Sequence, residues 1–183
     1  MMKRLRWRLN FCGLVLMICG CVQQSQSPST EHASKARELI GQGTWMLRRG
    51  NLAEAQAAFA LSLDTAPSAQ AFDGLGAVAF RGERYADAEK FFVRAVEFDP
   101  TYGRARANLA LLYEQQGRAA EARGLFYSAL ESDPSDAPAR NNFGAFLVES
   151  GHPSRGLFEL RKAHALFADG TIERNIDKVE RMP

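Results

Sequence analysis

Cysteine is scarce and confined: Cys12, Cys19 and Cys21 are the only three, all within the first 21 of 183 residues. No disulfide framework can hold the rest of the chain, even in an oxidising compartment. Histidine is as sparse, and His32, His152 and His164 have no metal-ligand spacing with a cysteine or an acid. The sequence also lacks a G-x-S-x-G elbow, a phosphate-binding loop and an H-E-x-x-H pair, which removes the common hydrolase, nucleotide and metalloprotease signatures. An apolar run of the ~20 residues that a spanning helix needs is missing too.

Charge of one sign is equally wanting. The chain has 23 Lys+Arg and 21 Asp+Glu, a formal +2. Residues 1–20 contribute Lys3, Arg4, Arg6 and Arg8 and no acid, so without them the remainder stands at −2. A nucleic-acid partner finds no support in that balance. With 46% hydrophobic and 24% charged residues, the composition is that of one ordinary globular domain rather than a collagenous or disordered chain.

What is present begins with an address. After the basic stretch Lys3 to Arg8, the segment FCGLVLMI (11–18) is uncharged and is followed by the small residues Cys19, Gly20 and Cys21. That is the layout of a secretory signal peptide. Ile18-Cys19-Gly20-Cys21 resembles a bacterial lipoprotein box, although Cys19 stands where Ala or Ser is commoner. The resemblance implies cleavage before Cys21, acylation of that cysteine, and, because Val22 replaces the Asp of inner-membrane retention, delivery to the outer membrane facing the periplasm. Each buried acyl CH₂ contributes about 0.8 kcal/mol, so several chains together anchor firmly. An ordinary signal cut nearby, or an uncleaved anchor, is the alternative. Residues 1–20 are thus expected to be a signal peptide and residues 21–33, rich in Ser and Gln, a lipidated cysteine with a flexible tether.

The remainder repeats itself. AEAQAAF (53–59), ADAEKFF (86–92) and AEARGLF (120–126) align with Ala55, Ala88 and Ala122 separated by 33 and 34 residues. Phe59, Phe92 and Phe126 keep those steps, as do Pro67, Pro100 and Pro134, and Gly156, Leu160 and Ala163 continue the phase into a fourth copy. Period and markers resemble the tetratricopeptide repeat (TPR), a helix–turn–helix unit of about 34 residues. The second copy reads Phe72-x₂-Leu75-Gly76-x₂-Ala79 and then Ala88-x₃-Phe92; the third reads Leu109-Ala110-x₂-Tyr113 and then Ala122-x₃-Phe126. The resemblance implies an all-α TPR solenoid over residues 34–170, with copies at 34–67, 68–101, 102–135 and 136–169.

Each marker has a physical task. Gly43, Gly76, Ala110 and Gly144 are expected to let paired helices approach, and the Phe residues to fill the space between hairpins at ~1.5–3 kcal/mol each on burial. Gly50, Gly82, Gly117 and Gly151 are expected to close the first helices in a left-handed cap. Asn51-Leu52-Ala53-Glu54 reads as a capping box, and the prolines stop the second helices. A solenoid needs a polar-faced end cap. Residues 171–183 supply one: Thr171 as N-cap, Ile172, Ile176 and Val179 on one face, charges on the other.

No catalytic constellation emerges, and the chain is expected not to be an enzyme. Gly74 and Gly76 resemble the start of a dinucleotide fingerprint, yet no strand precedes them. In TPR proteins first helices line a concave groove, which implies a wall of Asp73, Phe80, Arg81, Arg104, Asn108, Leu111, Glu114, Gln115, Asn141, Asn142 and Glu149. Asn108 and Asn142 lie one period apart near Arg104, a pairing able to hold a peptide backbone or terminal carboxylate. The alternative for any one of these is packing between adjacent helices. No cofactor, metal or small-molecule substrate is expected, and the partner is a protein.

The wording around Asn141, Asn142, Phe143, Gly144, Phe146 and Leu147 is similar to that of the lipoprotein pilotins of type IV pili, the PilF/PilW group; TadD-like lipoproteins of tight-adherence pili resemble the chain nearly as well. Either resemblance implies a role beside a secretin or another part of a pilus or secretion apparatus. A general envelope adaptor presenting proteases or peptidoglycan enzymes is the alternative.

Overall fold

The computed structural model describes residues 28–182, and the signal and lipobox segment lies outside the described residues. Among these the chain forms nine helices and no strand: α1 (Pro28–Arg48), α2 (Leu52–Thr65), α3 (Ala69–Arg81), α4 (Tyr85–Phe98), α5 (Gly103–Gln115), α6 (Ala119–Ser132), α7 (Ala137–Glu149), α8 (Pro153–Leu166) and α9 (Gly170–Glu180). They pair as four antiparallel hairpins, α1/α2 to α7/α8, stacked in chain order, with α9 against α7 and α8 at the end.

The first helix starts earlier than the composition suggests. It opens at Pro28, inside the stretch 21–33 read as tether. Proline suits the first turn because its missing N–H is an orphan there, and Glu31 complements the helix dipole. Ala36 and Leu39 then bury against the stack, and the Ser62 hydroxyl on α2 donates to the Ala36 carbonyl at 3.0 Å.

All four first helices end in the same way. The N–H groups of Asn51, Arg84, Arg118 and His152 reach back five residues to the carbonyls of Met46, Ala79, Tyr113 and Leu147, the wide bond of a Schellman turn. The turn needs a left-handed residue just before that donor. Gly50, Gly117 and Gly151 fill it at φ 83°, 74° and 81°, but in the second copy the residue is Glu83 at φ 58°. Gly82 has φ −87°. The expectation for Gly82 is off by one position, because the 33-residue step from Gly50 lands on Glu83.

Two caps also differ. Asn51 makes no side-chain cap, since the turn leaves it at φ −78°, ψ 75° rather than extended; its carbonyl alone accepts from Ala55. Helix α9 begins one residue before Thr171, and Asp169 is its N-cap, accepting the Thr171 N–H at 2.7 Å. Side-chain caps at Ser68 and Asp136 open α3 and α7. The loops after α4 and α6 are pinned by Arg106 and Arg140, one period apart, which donate to the carbonyls of Pro100 and Pro134.

The core is a column of interlocked side chains. Phe59, Phe92, Phe126 and Leu160 are all buried, at one place in each hairpin. The glycines facing them make room for rings more than for backbone: a Cβ on Gly43 would sit 3.0 Å from the Phe59 ring, and one on Gly76 would sit 2.5 Å from that of Phe92. Main chains come together in the last hairpin, where a Cβ on Gly156 would meet the Gly144 carbonyl oxygen at 2.6 Å, and at the start of α5, where one on Gly103 would meet the Ala129 carbonyl oxygen at 2.9 Å. At the far end Ile172 and Val179 of α9 are buried, and Val179 and Ile176 pack with Leu160.

Candidate functional site

The backbones of successive first helices approach one another, α1 with α3, α3 with α5, α5 with α7 and α7 with α9, whereas those of successive second helices stay apart. A stack whose first helices are closer together curves toward them. They therefore form the inner, concave wall, and α9 takes the place of a fifth first helix.

The groove residues divide by what they touch. Asp73 is buried, accepting the Asn108 amide at 2.7 Å and the Tyr102 hydroxyl at 3.2 Å. Burial pushes its carboxyl up to about 6, against the lowering effect of those two hydrogen bonds and of the nearby Arg104 charge. The Tyr102 hydroxyl is raised in turn, by burial first and then by the Asp73 charge. Asp73 and Asn108 thus join α3 to α5. Asn141 does the same two repeats on, between α7 and α9: it is buried, donates to Asn142 Oδ1 at 3.4 Å and accepts from Asn175 of α9 at 2.9 Å. Arg81 donates to the Leu47 carbonyl at the end of α1, and half-buried Phe80 packs on Tyr85 with ring centroids 5.9 Å apart.

The rest are open to solvent in whole or in part. Arg104, Gln115 and Glu149 are exposed, and Leu111, Glu114 and Asn142 are half-buried. Glu114 and Glu149 face each other across α5 and α7. Burial and then the Glu149 charge push Glu114 up to about 7, so near neutral pH it offers the groove a mixture of hydroxyl donor and carboxylate acceptor. A polar niche of about 60 Å³ at the α7/α9 end places Asn175 and Lys178 beside Glu149. Tyr102, Asn175 and Lys178 are missing from the sequence-based wall. Asn175 was reachable, standing 34 residues after Asn141; Tyr102 precedes its helix and leaves no periodic trace.

Among the described residues no group of three His, Cys, Asp or Glu is placed to hold a metal ion, and no helix is long and apolar enough to cross a membrane. The polar side chains are instead spaced along an extended surface, which suits a polymeric ligand.

Comparison with known proteins agrees with the repeat geometry. Two models of the tetratricopeptide repeat match residues 46–103 and 79–141, together more than half of the chain. The TPR repeat-containing thioredoxin TTL4 of Arabidopsis thaliana is 33% identical over 108 residues, 58% of this chain but only 16% of that protein. The chain therefore spans about a sixth of that relative, and its own cysteines at 12, 19 and 21 lack the C-x-x-C spacing of a thioredoxin pair. Pseudomonas aeruginosa pilF superposes with a TM-score of 0.69 at 20% identity, over 81% of this chain and 69% of that one. A thermophilic TPR protein of Thermus thermophilus gives 0.71 at 17%, over 79% and 80%. YrrB, a TPR protein with an unusual peptide-binding site, gives 0.56 at 25%, over 80% and 76%. With four stacked hairpins, a 33- to 34-residue register and these matches, the chain belongs to the tetratricopeptide-repeat family and folds as a TPR solenoid.

Proposed function

We propose that the protein is a non-enzymatic scaffold that holds an extended segment of a partner protein in its concave groove. The observation that carries this reading is the run of polar side chains along consecutive first helices, exposed Arg104 and Gln115 on α5 with exposed Glu149 and half-buried Asn142 on α7. Arg104, Gln115 and Glu149 face solvent, whereas Asp73, Asn108 and Asn141 hold adjacent helices together. The peptide-binding site named for YrrB lends support by likeness. A pull-down from envelope extract with the Arg104→Glu, Asn142→Ala double variant tests it: partners held by the native chain should be lost, and full retention would count against the groove.

The finer reading is an outer-membrane lipoprotein, anchored through Cys21 on the periplasmic side and assisting assembly of a secretin or another part of a pilus or secretion apparatus. It is supported by the Ile18–Cys21 box, by the Asn141 to Leu147 wording and by the likeness of fold to pilF. Cys21→Ser should move the protein from the membrane pellet to the soluble fraction; a variant that stays in the pellet removes the anchor. Deleting the gene should deplete secretin multimers and surface pili. Unchanged multimers with normal piliation would leave the general envelope adaptor as the reading.

A further inference from the structure

The outer face has clefts of its own. The backbones of consecutive second helices stay apart, and each gap between them is floored by the first helix lying behind. The gap between α4 and α6 is latched. The Tyr113 hydroxyl donates to Glu89 at 2.9 Å, Arg118 reaches the same carboxylate at 3.1 Å, and the Arg118 guanidinium lies 3.4 Å from the Tyr113 ring centroid. The gap between α2 and α4 is bridged at one end by Arg84, which donates to Gln56 at 2.9 Å. The rest is a cleft of about 420 Å³ on a floor of Phe72, Leu75 and Phe91.

Charge on α4 is sorted between these two gaps. Glu89 turns to Arg118 and so leaves the first cleft, whose rim carries Arg84, Lys90 and Arg94 against one carboxylate, Asp87. Lys90 lies 3.7 Å from Asp87, but with 76% of its side chain exposed that pair is weak. Arg94 pairs with Glu97, one turn along and outside the cleft, at 3.1 Å, and its guanidinium stays 5.8 Å from the Phe72 ring centroid, over the floor. Counting Glu97, cations still outnumber acids. An apolar floor of this size takes one large side chain, and the rim selects carboxylates on either side of it. A nucleic acid is disfavoured because three cations around one cleft form no stripe along which a phosphate backbone could run.

We infer that the α2/α4 cleft on the convex face is a second docking site, for a short acidic peptide segment of a partner that seats one Leu or Phe side chain on Phe72, Leu75 and Phe91. The site is separate from the groove and stands or falls apart from it.

The test uses the full chain in detergent and the fluorescein-labelled peptide Glu-Asp-Leu-Phe-Asp-Glu, read by fluorescence anisotropy, with hydrogen exchange to locate binding. Saturable binding is expected, with protection on residues 52–65 and 85–98. The Lys90→Glu, Arg94→Glu double variant should weaken it on the order of tenfold or more, as loss of charge-assisted contacts implies. A peptide with Lys in place of the acids, or Ala in place of Leu-Phe, should not bind. Both substituted side chains are exposed, so the melting curve should barely move, and circular dichroism checks that. No binding of the acidic peptide, equal affinity for the double variant, or protection confined to α5 and α7 would each overturn the inference.

Discussion

The second and fourth hairpins have the same backbone plan and fill it with different residues. Positions 68 apart correspond, so Gly76, Ala88 and Phe92 in the second copy face the tasks of Gly144, Gly156 and Leu160 in the fourth. In the second, a ring occupies the space over Gly76 and the opposite helix carries an alanine. In the fourth, a smaller Leu160 is matched by a second glycine, and the two main chains close to near contact. Side-chain volume falls at both positions, and the closer approach of the main chains takes up the difference. A TPR hairpin thus demands a filled interface, and leaves open whether side chain or backbone fills it.

The largest expected effect comes from emptying that space. Phe92→Ala should cost about 3–5 kcal/mol by the usual cavity penalty, read from urea denaturation by circular dichroism. Phe92→Leu, which imports the residue of the fourth copy, should cost clearly less. Equal losses would mean that the ring matters for something other than volume, and the comparison would fail.

Adding volume sharpens the contrast. Gly156→Ala brings in the residue of the second copy, where its Cβ would meet the Gly144 carbonyl oxygen at 2.6 Å and the Val148 nitrogen at 3.1 Å. Backbone cannot step aside cheaply, and a loss of about 2–3 kcal/mol is expected. Gly76→Ala meets only the Phe92 ring, and Ala110 already stands at that position in the third copy. Its cost should be smaller and should be relieved by Phe92→Leu in the same chain. Trimming Val148 to Ala should leave the Gly156→Ala loss largely in place, because the carbonyl remains.

How far such facts were legible follows from how local they are. The 33- and 34-residue steps of Ala55, Phe59 and Pro67 with their later copies are carried by the sequence itself, as is the Ile172, Ile176, Val179 face of the end helix. The structure adds what depends on neighbours. Whether Asn108 faces a ligand or Asp73 is decided by how two hairpins stack, and no pattern within either helix reports it. The misplacement of the left-handed residue at Gly82 has a different source: glycine marks such a turn only when the turn uses one. The start of α1 at Pro28 was hidden because Ser, Thr and Glu serve a tether and a first helical turn alike.

Position 73 extends the comparison to charge. Its counterpart in the fourth copy is Asn141, which makes the same kind of link to the next first helix without an ionisable group. The Asp73 carboxyl titrates near 3.8 when unfolded and near 6 when folded. The folded chain therefore keeps a proton that the unfolded chain releases, and the stability this gives is complete below about pH 4, declines as pH rises, and is gone above about pH 6. Asp73→Asn should remove the decline, because a carboxamide still accepts from Asn108 or Tyr102 and never ionises. A gain of about 3 kcal/mol at pH 8, shrinking toward zero near pH 4, is the expected difference between the two denaturation series. A gain that did not change with pH would show that the carboxylate is not the cause.

The smallest effect is at the turn. Glu83 holds φ 58° where Gly50, Gly117 and Gly151 hold the same conformation freely, and a side chain there costs roughly 1 kcal/mol through contact of its Cβ with the carbonyl oxygen. Glycine also gains freedom in the unfolded chain, which offsets part of the relief. Glu83→Gly should therefore stabilise by only about 0.5–1 kcal/mol, and Gly151→Glu should destabilise the fourth copy by a similar amount. Gly82→Ala separates this account from the sequence-based one. With φ −87° and no neighbour closer than 3.4 Å to an added Cβ, alanine at 82 should be harmless, whereas a left-handed cap at that position would make it costly. Loss of stability on Gly82→Ala with no gain on Glu83→Gly would return the cap to Gly82 and break the correspondence between the two turns.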